Sequence, residues 1–196
     1  MKQATIIAVF ITACIYCSAQ PSNNYEYSSG KYYTSITPKE MLSEIMTAVG
    51  LQCNIELKEA DVMNIEASIS RHKRYILYNP NYISWITNVT QNKWAALALI
   101  AHEVGHHLNG HTLSKTGSKP AVELEADEFA GFILYKLGAT LEEAQEVMKY
   151  ISTNQASDSH PARTDRMFAI QKGWNKAIDN PHLVKTENIH APGTSN

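Results

Sequence analysis

A chain of 196 residues with 17 basic and 19 acidic side chains has room for one domain with a proper core and little more. At 44% hydrophobic and 18% charged residues it has the composition of a folded protein, not a disordered one. A net charge of -2 and a pI near 6.4 exclude the basic face of a nucleic-acid binder, and the longest apolar run, Ile6 to Cys17, is too short to cross a bilayer as a helix.

That run sets the reading of residues 1–19. Lys2, the apolar stretch from Ile6 to Ile11 and the small residues Ser18 and Ala19 describe a secretory signal peptide cut after Ala19. A second reading stays open, because Ile11-Thr12-Ala13-Cys14 resembles a bacterial lipobox and would make Cys14 a lipidated N-terminus. Both readings place the chain outside the cytoplasm, periplasmic or secreted, with a membrane contact only through that lipid. Cleavage after Ala19 leaves Cys53 as the one cysteine, so no internal disulfide is expected. Cys53 itself reads as a small buried hydrophobe. Residues 20–34, rich in Ser, Asn, Tyr and Gly, read as a flexible leader, and residues 35–178 as the domain. Residues 179–196 read as a disordered tail.

Thr37-Pro38-Lys39-Glu40 is a helix start with a capping box, and Met41, Leu42, Ile45, Met46 and Val49 follow at helical spacing until Gly50. Residues 54–57, 64–69 and 75–78 are short and alternating or β-branched, and predict a small antiparallel sheet. Asn79-Pro80-Asn81 punctuates its end. From Asn92 a helix carries Trp94, Leu97, Ala101, Val104 and Leu108 on one stripe, with Ala95, Ala96, Leu99 and Ile100 on its other faces, so it is expected to be buried. A third helix runs from Pro120 to Leu137. Thr140 caps a fourth, which reaches about residue 152, and Pro161 opens a fifth bearing Met167, Ile170 and Trp174. There is no internal repeat. The fold class is α+β, mostly helical with a small sheet.

The chemistry sits on the buried helix, at His102-Glu103-Val104-Gly105-His106. Histidines four apart project from one face of a helix and can grip one metal ion, and Glu103 can reach a water on it. Two imidazoles and a carboxylate leave zinc an open position for water. Both histidines interrupt an alanine- and leucine-rich helix, where an unpartnered ring is costly. A metzincin would need glycine at position 109 and histidine at 112, but these are Asn109 and Thr112.

The third ligand is therefore sought on the helix from Pro120. At 100° per residue, Val122, Ala126, Ala130, Ile133 and Leu137 form its apolar face. Glu123 and Asp127 lie together on one edge of that face, while Glu125 and Glu128 lie on the solvent side. Glu123 is thus the expected zinc ligand and Asp127 the expected supporting partner to a ligand histidine. Of the other histidines, His107 reads as a satisfied core residue or a supporting donor, and His111 as a complement to the helix dipole. His72, His182 and His190 read as surface residues.

His102 to His106, the step from Glu123 to Asp127, and Ser159-His160-Pro161 followed by Arg166 together resemble the M48-family gluzincin zinc metallopeptidases. The likeness spans residues 75–170. It implies a zincin-like fold, one zinc per chain on His102, His106 and Glu123, and Glu103 as general base. It further implies a supporting role for Asp127 and places His160 and Arg166 near the active site, His160 as a catalytic hydrogen-bond donor or a cap on the metal. By the same likeness, residues 75–78 would be the edge strand that holds a peptide. The expected function is a metalloendopeptidase acting on exported or envelope proteins. The rival is a non-catalytic zinc-binding chaperone or regulator, which would have no use for Glu103.

Overall fold

A computed structural model describes residues 36–113 and 119–179, together with the pair Ile7–Ala8. The expected signal peptide, leader and tail lie outside the described residues, apart from that pair (β1) and Asp179, which closes the last helix instead of opening the tail.

Helix α1 (Pro38–Val49) starts as its sequence dictates. The Thr37 hydroxyl accepts the Glu40 N–H at 3.3 Å, and the Glu40 carboxylate accepts the Thr37 N–H at 2.7 Å. Its stripe of Met41, Leu42, Ile45 and Met46 is buried. Three strands follow: β2 (Ile55–Glu59), β3 (Ile65–Ser70) and β4 (Lys73–Tyr78). The sheet is mixed, not antiparallel as expected. β3 turns back tightly and pairs antiparallel with β4, whose other edge takes β2 in parallel. The order is β1-β3-β4-β2, with Ile7 and Ala8 against Ile69 and Ser68. Residues 75–78 are therefore central, flanked on both sides. The strand nearest the helix that carries His102 and His106 is β3.

Asn79 and Pro80 do more than end the sheet. They open α2 (Pro80–Thr90), which the sequence reading did not anticipate: the Asn79 side chain accepts the Asn81 N–H and Pro80 occupies the first turn. Ile83 and Ile86 anchor it inward. Cys53 is exposed, against expectation, because it lies on the polar approach to β2, where its thiol donates to the Ile55 carbonyl at 3.4 Å.

Helix α3 (Lys93–Leu108) runs through the middle of the molecule and is buried without a break from Trp94 to His107. Full burial of Leu97 and Ile100 contributes about 1.5–3 kcal/mol per side chain. A 3-10 turn (His111–Leu113) follows, and then α4 (Pro120–Leu137) packs along α3. The expected fourth helix is broken into α5 (Leu141–Gln145) and α6 (Met148–Ile151), which lets Ala144, Val147 and Met148 all face the core. Helix α7 (Arg163–Asp179) begins two residues after Pro161 and lies across α4. At that crossing the backbones touch. A Cβ on Gly131 would overlap the Ile170 carbonyl, and one on Gly173 the Glu128 carbonyl, so only glycine fits at either place. No described helix is long and apolar enough to cross a membrane.

Candidate metal centre

One turn of α3 carries His102 and His106, and the first turn of α4 brings Glu123 against them. The two imidazole Nε2 atoms are 3.0 Å apart, and the Glu123 carboxylate oxygens lie 3.4 Å from the first and 3.6 Å from the second. All three side chains are buried, with donor atoms within 4.8 Å of one another, and together they could hold a metal ion.

The partners of these rings fix where their protons sit. His102 Nδ1–H donates to Asp127 Oδ1 at 2.8 Å. Asp127 in turn accepts a bidentate fork from Arg166, Nε at 2.7 Å and Nη2 at 2.8 Å. Burial works against the Asp127 carboxylate, but Arg166 and then His102 outweigh it and hold its pKa below the ordinary value. Burial likewise works against a charged His102, yet Asp127 and Glu123 overcome it and raise that pKa to about 10. His106 is pushed down to about 3, first by burial and then by the charge on His102. His106 Nε2 therefore accepts the second proton of His102. Two nitrogens and a carboxylate are the donor set that zinc takes, and a metal ion would replace that proton between the same three groups.

Glu103, 1% exposed, sits beside this cluster, and its Oε2 accepts the Ala67 N–H of β3 at 2.7 Å. Burial raises its pKa to about 8, partly offset by His102 and by the Ala67 N–H. A cavity of about 460 Å³ opens here, with Ile65, Leu99 and Met148 among its apolar lining and His102, Glu103, His160 and Arg166 among its polar lining. His160 Nε2 is buried with no hydrogen-bond partner among the described residues.

The structure thus brings His102, Glu103, His106, Glu123, Asp127, His160 and Arg166 into one neighbourhood. Glu128 departs from expectation: it is half-buried and paired with Lys172 and Lys176 on α7. His107 is a core residue whose Nε2–H donates to the Tyr75 carbonyl at 2.9 Å, tying α3 to β4. His72 is exposed, and His182 and His190 lie outside the described residues. His111 does not serve the helix end. Its Nδ1 meets His106 Nδ1 at 3.0 Å and its Nε2–H donates to Glu125 Oε2 at 2.9 Å. The sequence pattern does not show that link, although a histidine five residues past His106 is within reach of a chain that turns back. No family model, curated protein or solved structure matches this chain.

Proposed function

We propose that this chain is a zinc-dependent metalloendopeptidase, held to its metal by His102, His106 and Glu123 and acting on exported or envelope proteins. The observation that carries the reading is the buried carboxylate of Glu103 beside two nitrogens and a carboxylate that converge on one point, at the wall of an open cavity. Bound there, zinc supplies a Lewis acid that polarises a carbonyl and brings the pKa of a water towards 7.

The chain's own residues do the rest. Glu103 Oε2 is engaged by Ala67, so Oε1 is the atom that takes the proton from the attacking water and hands it to the departing amine. Arg166 and Asp127 hold the His102 ring in place. His160, lining the same cavity with an unsatisfied Nε2, donates to the oxygen that gains charge as the carbonyl is attacked. An extended peptide would take the edge of β3 that Ile7 and Ala8 hold here, an edge that a cut after Ala19 would free, on the strand whose Ala67 touches Glu103.

Zinc content measured together with casein cleavage tests this. Glu103→Gln should keep zinc and lose at least about a hundredfold in turnover; wild-type activity in that variant, or an active protein without a transition metal, would remove the reading. His160→Ala should lower turnover about ten- to a thousandfold at unchanged zinc content. A rise in activity would instead make His160 an inhibitory cap. Mass spectrometry of the mature N-terminus separates the two export routes: Gln20 first means a free protein, a lipidated Cys14 a tethered one.

A further inference from the structure

His106 is fully buried, yet its Nδ1 reaches towards the surface through His111 to Glu125. The rings of His106 and His111 stand edge to face, 5.1 Å between centroids. His111 belongs to the 3-10 turn that folds back over the end of α3, and its side chain is 8% exposed. Glu125, on α4 two residues past Glu123, is 62% exposed at its side chain.

The direction of these hydrogen bonds follows from what each group can do. An ionised carboxylate only accepts, so His111 carries its proton on Nε2 and presents a lone pair at Nδ1. That lone pair accepts from His106 Nδ1–H. His106 Nε2 is then left with its lone pair turned to His102 and Glu123, the state in which an imidazole ligates a metal. With the wrong tautomer, His106 would point a proton at the ion.

We propose that His111 and Glu125 form a positioning relay that fixes the tautomer and ring angle of His106 for metal binding. The inference rests on the metal-site reading above. It assigns to His111 a job that the sequence pattern alone does not suggest, and it makes the exposed Glu125 part of the centre.

The test is zinc affinity of the full chain by chelator competition, with the fold of each variant checked by chemical denaturation. His111→Leu should weaken zinc binding by about 10–100-fold, the usual cost of removing a partner behind a ligand histidine. His111→Gln keeps a carbonyl acceptor for His106 Nδ1–H and should recover most of that loss. Both variants fill the site, so a difference between them is not a packing effect. Glu125→Ala should weaken zinc severalfold in the wild-type background and do nothing in His111→Leu, where no polar group links it to His106. Equal affinity of His111→Leu and a zinc-binding wild type, or of the Leu and Gln variants, would overturn the relay alone. A wild-type chain that binds no zinc would overturn the metal reading and the relay with it.

Discussion

His102 and His106 are held from opposite directions by different means. His102 leans on Asp127, 25 residues further along, and Asp127 on Arg166, another 39 residues away. Every member of that arm is buried, and it exists only because α7 lies across α4. His106 leans on His111, five residues on, and His111 on Glu125, a further 14. That arm is local and ends in solvent. Charges buried together stabilise one another only while the set is complete, whereas an exposed carboxylate keeps its water when its partner goes. The first arm is therefore part of the fold, and the second touches only the proposed metal site through His106.

Arg166→Ala should separate the two most sharply. It leaves Asp127 ionised and buried beside one remaining partner, and should cost about 3–5 kcal/mol in chemical denaturation. A loss below 1 kcal/mol, on the order of a surface change, would place the first arm outside the fold as well.

The pH dependence of the chelator-treated protein is expected to be next in size. The pKa of His102 is raised when folded to about 10, so its contribution is fully present below the ordinary value near 6.5 and fades as pH rises through about 10. Asp127→Asn should flatten that slope, and His111→Gln should leave it in place.

Glu125→Ala is the smallest effect, with a stability change under about 0.5 kcal/mol. Loss of stability comparable to that of Arg166→Ala would erase the distinction between the arms.

The contrast also marks what the sequence made legible. His102, His106, Glu123 and Asp127 could be read because helical spacing puts them on facing surfaces, whatever the path between the helices. The relay could not, since it depends on Gly110, at φ +76°, turning the chain so that His111 folds back. Residues 75–78 were legible as a strand but not as the central one, because order in the sheet is a matter of which neighbours pair and not of sequence order. The same dipeptide hid α2: Asn79-Pro80 ends a strand and caps a helix with the same two residues. The broken helix after Thr140 was invisible because its apolar residues continue at helical spacing through the break at residues 146 and 147.

The contact at Gly131 and Gly173 can be seen as a pivot. Arg166 stands seven residues from Gly173 along α7, about 10 Å of helix. Over that lever a tilt of only about 5° moves the guanidinium by roughly 0.9 Å, enough to stretch a hydrogen bond from 2.7 Å past the useful range. Seating one backbone directly on the other leaves no side chain to hop between rotamers at the fulcrum, so the angle of α7 is set by rigid atoms. The aim of a charged fork at one end of the helix is thus decided where the chain carries no side chain at all.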